Sequence, residues 1–282
     1  MINCPIYLIN LINRPNRLIN SLKELNKVSM AEKITRINAT NKEEAYKVRH
    51  KYFDSRIEDN IKEIKSTTII PTWGAAGCAI SHIRVWREIL NNNIEFALIL
   101  EDDNEITDIN LFNYSIEKIK KIYFSHIDKK NTPFFASLIS KTPNKYSVTN
   151  IKDVYDYKHF FTGTSFYFVN NRFCNLMLED LNRFPLLYQI DIKVSLKMKE
   201  IYSKTYLLFN TGVEQSKKYI SDNQYYFIKK DFLIKVLLNF LPVEMIERIH
   251  FFCHQVKNLE NNIMNNYNLI YNHYNYNYNN IY

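Results

Sequence analysis

Short apolar runs and longer amphipathic stretches take turns along this chain. "PIYLINL" (5–11) is dense enough in apolar residues for a buried strand. Residues 15–27 follow with a helical period, because Leu18, Leu22 and Leu25 fall on one face. "ITRINA" (34–39) predicts a second strand, and polar helical stretches run from about 42 to 65. "IIPTWGAAG" (69–77) reads as a turn, and residues 77–91 as a strong helix. Ala79, Ile83, Trp86 and Leu90 line one side of that helix. A strand at 95–101, a helix near 110–125 and strands at 133–139 and 164–169 come next. Helices are expected from Asn171 and after Asp191, with a last strand at 205–209.

Strands that alternate with helices predict an α/β domain with a mainly parallel central sheet. In such sheets ligands sit beyond the carboxyl ends of the strands, at a topological switch point. The pattern changes late in the chain. "FLIKVLLNFLPVEMIERIHFF" (232–252) is apolar and helical, and "NNYNLIYNHYNYNYNNIY" (265–282) is Asn/Tyr low complexity that cannot bury a core. The expected division is a catalytic-type domain over 1–225, a helical C-terminal extension over 226–264 and a tail over 265–282.

Composition narrows the chemistry. The 282 residues include only four Gly, and neither G-x-x-x-x-G-K-[ST] nor G-x-G-x-x-G occurs. The net charge of +8 suits an anionic ligand or an anionic membrane surface. Nucleic acid is not expected as a partner, because no cluster of arginines and aromatics forms a stacking platform. Cys4, Cys78, Cys174 and Cys253 show no metal spacing and read as reduced thiols of a cytoplasmic protein. The N-terminus lacks the features of a signal peptide, and no apolar run has the length of a membrane span. The apolar C-terminal helices, with Lys229, Lys230 and Lys235 nearby, fit peripheral membrane contact, packing on the domain or a homodimer.

One segment demands a reason. In "EFALILEDDNEIT" (95–107) an apolar strand ends in Glu101, Asp102 and Asp103. Each carboxylate raises the cost of ionising the others. A nucleotide-hydrolysing strand lacks its phosphate loop here, and a ribose-binding acid lacks its Gly fingerprint. A solvated turn ahead of the helix near 110 would explain the acids without any ligand, although Asp108 or Asn110 already serves as its cap. A divalent cation explains them differently: it reverses their repulsion and bridges carboxylates to phosphates. Acid-x-acid at a strand end suits a nucleotide-sugar transferase. A metal-dependent phosphohydrolase could use the same acids.

Further blocks carry a resemblance. "INLINRPNR" (9–17), "GCAISHIRVWREIL" (77–90), "ALILEDD" (97–103), "GTSFYFVNNRFCNLML" (163–178), "QID" (189–191) and "VEQSKKYISD" (213–222) fall in that order. Together they resemble glycosyltransferase family 25, over roughly residues 5–222. The resemblance implies a GT-A fold, an α/β/α sandwich that binds a UDP-sugar with Mn²⁺ or Mg²⁺. It also implies transfer of a hexose, galactose or glucose, with inversion, to a glycan or a hydroxylated protein acceptor. A relative that keeps the fold as a non-catalytic binding subunit is the alternative.

On this resemblance Glu101 and Asp103 hold the metal, and Asp102 or Glu101 reaches the donor. Arg14 and Arg17 would pair with the diphosphate, since guanidinium matches phosphate geometry. Gly77, Ser81 and His82 would sit at a helix N-terminus facing the nucleotide, or His82 would be a core fixture. Gly163 and Thr164 would allow close approach of the donor sugar. Gln215, with Ser221 and Asp222, would complete the pocket. Asp191 fits two roles equally, catalytic base or helix N-cap. The chain departs from the family pattern at Ala75 and Ala76, where an acid is usual before the Gly-Cys pair. It departs again at Asn210-Thr211-Gly212, where a proline is usual. Both departures bear on sugar preference more than on fold.

Overall fold

A computed structural model describes residues 4–63, 66, 68–126, 132–139, 147–148, 154–156, 163–201, 205–216 and 218. All of them belong to the compact unit Met1–Tyr225. The expected extension and tail, with Lys229, Lys230, Lys235 and Cys253, lie outside the described residues, as do Ser221 and Asp222.

The chain opens with strand β1 (Ile6–Asn10) and helix α1 (Pro15–Asn26), followed by β2 (Ile34–Asn38). Pro15 suits the first helical turn, where its missing N–H is not needed. Three short helices come next: α2 (Lys42–Lys47), α3 (Arg49–Tyr52) and α4 (Arg56–Glu63). Asn41 and Glu44 form a reciprocal capping box on α2. The long helix α5 (Trp73–Asn91) leads to β3 (Phe96–Glu101), β4 (Asn104–Ile106) and α6 (Ile109–His126). The short strands β5 (Phe135–Ser137), β6 (Ser147–Val148) and β7 (Val154–Asp156) precede β8 (Phe166–Asn170). Helices α7 (Asn171–Arg183) and α8 (Ile190–Glu200) and strands β9 (Thr205–Leu208) and β10 (Val213–Gln215) complete the described unit.

The main sheet has the order β2-β1-β3-β8-β5-β9-β7-β6. Strands β2, β1, β3, β5 and β9 point one way, and β8 and β7 oppose them. The expected α/β class with a mainly parallel sheet is therefore observed. Strands β4 and β10 pair separately as a small antiparallel ribbon that the apolar pattern did not reveal.

Strand residues send alternate side chains into two cores, as the period of two requires. Tyr7, Ile9, Ala97, Ile99, Tyr167 and Val169 meet α5, α7 and α8 on one face. Ile6, Leu8, Leu98, Leu100, Phe166 and Phe168 meet α1 and α6 on the other. The result is three layers, helix–sheet–helix. Both faces of β1 and β3 are buried, which is why these strands read as unbroken apolar runs.

Two expected helix starts are corrected. Helix α5 begins at Trp73, capped by the Thr72 hydroxyl, which accepts from the Ala75 N–H at 3.0 Å. Residues 73–77, expected in a turn, are helical, so Gly77, Ser81 and His82 lie within the helix and not at its N-terminus. The reason is that Thr72 supplies the cap and Gly74 and Gly77 are tolerated because the helix packs closely. A Cβ on Gly77 would collide with the Thr40 carbonyl oxygen. Similarly, Gln189 occupies the cap position of α8, and Asp191 is the second helical residue.

Candidate functional site

Chain order reverses between β1 and β3: β2 lies on one side of β1 and β3 on the other. A cleft opens at the carboxyl ends of these strands, as expected at a switch point. Its walls are Ile9, Asn10 and Leu11 at the end of β1, Arg17 from α1, Ala39 and Thr40 after β2, Gly74, Cys78 and Ser81 from α5, and Glu101, Asp102 and Asp103 at the end of β3. The cleft is open to solvent, and its closed part is small, about 70 Å³.

The acid triplet forms its floor. Asp102 and Asp103 are buried, at 7% and 5% exposure, whereas Glu101 is partly exposed. Asp102 accepts from Asn10 Nδ2 at 2.6 Å, and Arg17 approaches Asp102 at 3.3 Å and Asp103 at 3.7 Å. Asn10 is itself held, because its Oδ1 accepts from Arg36 Nε at 3.0 Å. Gln215 Nε2 donates to Asp103 Oδ2 at 2.9 Å. The β4–β10 ribbon delivers that contact, since Gln215 pairs in register with Asn104. Asn104 in turn donates to the carbonyls of Glu101 and Ser165, which fixes the turn after β3.

Burial, with the charge of Glu101 next, pushes the Asp103 carboxyl up to about 6, against the Gln215 hydrogen bond and Arg17. Burial also raises Asp102, partly offset by Asn10 and Arg17. Asp103 Oδ1 is buried without a hydrogen-bond partner among the described residues. An acceptor oxygen stranded among three acids and one close guanidinium is a site short of positive charge. Glu101 and Asp103 offer oxygen donors of the kind Mg²⁺ and Mn²⁺ prefer, and Cys78 and His82 lie close beside Glu101.

Other expected residues fall around this centre. Ser81 lines the cleft, but its hydroxyl donates to the Gly77 carbonyl and accepts from the Thr40 N–H, so it ties α5 to the loop after β2. His82 is fully buried behind the cleft, with Nδ1 2.9 Å from the Tyr167 hydroxyl and Nε2 3.4 Å from Glu101 Oε1. Arg14 sits at the start of α1, where its carbonyl accepts from Asn10 Nδ2 at 3.2 Å, and it is not among the residues lining the cleft. Nor are Gly77, Gly163, Thr164, Asp191 and Gln215. Ala75 and Ala76, where the chain departs from the family's usual acid, are buried in the core.

Asp191 and Gly163 form a second group. The Gly163 N–H donates to Asp191 Oδ2 at 3.3 Å, and the Ile192 N–H to Oδ1 at 2.8 Å. Gly163 has φ +113°, and a Cβ there would collide with the Ile139 carbonyl oxygen, so glycine is required. Thr164 is buried beside it. Burial raises the Asp191 carboxyl, the backbone N–H groups of Ile192, Gly163 and Asp191 itself pull it down, and the charge of Glu101 raises it further. A carboxylate with raised proton affinity suits a base.

Asn10, Thr40, Cys78, Asn104 and Tyr167 were not singled out from sequence as parts of this site. For Asn10 and Asn104 a signal existed: a polar amide beside an apolar strand end invites a buried partner.

Residues 3–194 match the family described as Glycosyltransferase family 25 (LPS biosynthesis protein). The chain belongs to this family. It is thus a glycosyltransferase, an enzyme with a sugar donor and an acceptor. Comparison with curated proteins returns no significant match. Solved structures with a loosely similar layout include 4-diphosphocytidyl-2C-methyl-D-erythritol synthase from Anaerococcus prevotii, at 11% identity and TM-score 0.38, covering 82% of this chain and 96% of that one. A second is CMP:2-keto-3-deoxy-manno-octonic acid synthetase complexed with CTP, at 9% identity and TM-score 0.39, covering 83% and 96%. A third is mannose-1-phosphate geranyltransferase from Thermus thermophilus, at 11% and 0.32, covering 73% of each chain. Among the described residues no helix is long and apolar enough to cross a membrane.

Proposed function

We propose that this glycosyltransferase has a GT-A-type site and moves a hexose, galactose or glucose, from a UDP-sugar to a hydroxyl of a glycan or a hydroxylated protein, with inversion and with Mn²⁺ or Mg²⁺. The observation that carries this reading is the stranded Asp103 Oδ1 within three crowded acids at the switch-point cleft. A cation held by Glu101 and Asp103 would stabilise charge on the departing diphosphate.

The chain's own residues divide the remaining work. Arg17 presents its guanidinium to the cleft beside Asp102 and Asp103 and would meet the diphosphate there. Asn10 and Gln215 hold the two aspartates in place by direct hydrogen bonds. The acceptor hydroxyl attacks the anomeric carbon as the bond to the diphosphate oxygen breaks, and UDP leaves. Asp191 takes the hydroxyl proton, with its carboxylate oriented by the Gly163 and Ile192 N–H groups. Catalysis is assigned to residues 1–225, with 226–264 and 265–282 outside it.

Thermal unfolding with UDP, Mn²⁺ or both tests the donor site, since a ligand of the folded state raises the midpoint. An upward shift that requires both supports the reading; no shift from any uridine nucleotide with Mn²⁺ sinks it. Asp191→Asn should keep that shift while transfer falls by about 10²–10⁴-fold. Unchanged transfer would remove Asp191 from the role of base.

A further inference from the structure

Behind the cleft, four side chains form a line of hydrogen bonds with a defined direction. Trp86 Nε1 lies 3.1 Å from the Tyr167 hydroxyl, which lies 2.9 Å from His82 Nδ1, and His82 Nε2 lies 3.4 Å from Glu101 Oε1. Trp86, Tyr167 and His82 are all fully buried. An indole N–H can only donate, so Tyr167 accepts from Trp86. The phenol then has one proton to give. Among the described residues its one acceptor is His82 Nδ1. If Nδ1 carried a proton, two donors would face the Tyr167 oxygen and its own proton would be buried without a partner, a penalty with nothing to offset it. Nδ1 is therefore the acceptor, and the ring proton sits on Nε2, facing Glu101.

This direction decides between two readings of one cluster. The ligand atoms of Cys78, His82 and Glu101 lie within 4.8 Å of one another, close enough to resemble a cage for a soft metal. A metal at Nε2 would need the lone pair that the proton occupies, and moving the proton to Nδ1 would strand Tyr167. The geometry points to a different role: His82 is a positioning residue whose Nε2–H, with the Cys78 thiol, holds Oε1 of Glu101 and leaves Oε2 for the divalent cation. The Cys78 sulfur lies 3.9 Å from the same Oε1, and Oε2 has no partner among the described residues. Trp86 and Tyr167 set the proton's place, so the core helix α5 and strand β8 together orient a cleft carboxylate. This inference rests on the metal-dependent reading above.

Long-range ¹⁵N–¹H correlation on the metal-free protein with labelled histidine tests the tautomer, with His82 assigned by its loss in His82→Gln. The expected pattern is Nε2–H, turning to a mixture of tautomers in Tyr167→Phe. An Nδ1–H pattern in the wild-type protein overturns the inference and leaves the proposed function standing. Mn²⁺ affinity, measured by water-proton relaxation, supplies the second arm. His82→Gln, whose amide can still donate to Glu101, should bind within about 2-fold of wild type, and His82→Leu should bind about 10–100-fold more weakly. Equal affinity in His82→Leu overturns the positioning role. Absence of Mn²⁺ binding by the wild-type protein overturns the metal-dependent reading and this role with it. Tight Zn²⁺ binding lost in Cys78→Ala would restore the soft-metal cage and overturn the inference.

Discussion

Asp180 and Asp103 are each 5% exposed, yet their proton affinities are shifted in opposite directions. Burial pushes Asp180 up, but Lys193 and Lys197 of α8 donate to it and hold it below the usual carboxylate range. The two lysines are four residues apart, so both reach one spot on α7. Asp103 has no such surplus. It shares Arg17 with Asp102, and Glu101 adds a further charge. Neither side chain is exposed, but Asp103 is the more deeply surrounded by protein, and only Asp180 has two ammonium partners. The first site joins two helices through two ion pairs. The second is left with excess negative charge, which suits a site completed by a ligand.

The largest effect is expected at the cleft. Asp103→Asn should lower transfer by about 10³-fold or more. The same change should raise the stability of the metal-free protein by about 1–2 kcal/mol, because it removes one of three crowded charges. Urea unfolding in the presence of EDTA reads the second effect, and a loss of stability would mean the triplet is a structural element.

The next effect is the mirror image. Asp180→Asn should cost about 3 kcal/mol of stability, because it leaves two largely buried lysines facing a neutral group. UDP binding with Mn²⁺ should survive. Because the folded-state affinity of Asp180 is lowered, its contribution is present above the ordinary value of 3.8 and fades as pH falls through the folded value. The stability gap between wild type and Asp180→Asn should therefore stay constant from neutral pH down to about pH 5 and close below about pH 4. A gap that widens on acidification would contradict the ion-pair account.

A smaller effect is expected at the wall of the cleft. Gly77→Ala drives a methyl into the Thr40 carbonyl, so α5 must shift away from the loop after β2. The cost should be about 1–3 kcal/mol. Because Thr40, Cys78 and Ser81 line the cleft, donor KM should rise more than kcat falls. A change in stability without any change in KM would separate that loop from donor binding.

The fold was legible where both faces of a strand are buried. The runs at 5–11 and 95–101 became β1 and β3 because continuous apolar character leaves little choice of element. The β4–β10 ribbon was not legible. Its strands have three residues each, and its pairing spans more than a hundred positions, so no local period marks it. The start of α5 was misplaced because Gly74 and Gly77 look like turn residues, while the Thr72 cap and the close approach to Thr40 are tertiary facts. At the site, Glu101, Asp102 and Asp103 stood out because charge beside an apolar run is costly. The proton direction through Trp86, Tyr167 and His82 could not be read, because it depends on side chains 85 and 81 positions apart meeting across the core.

The acids at the end of β3 are proposed to hold a cation, and the acid on α7 is not. Calorimetric titration of Mn²⁺ with UDP present, on wild type, Asp103→Asn and Asp180→Asn, measures this difference most directly. One Mn²⁺ should be bound by wild type and by Asp180→Asn with similar affinity, and affinity should fall by about 10-fold or more in Asp103→Asn. Equal binding by Asp103→Asn and wild type, or no binding by either, would contradict the proposed cation site.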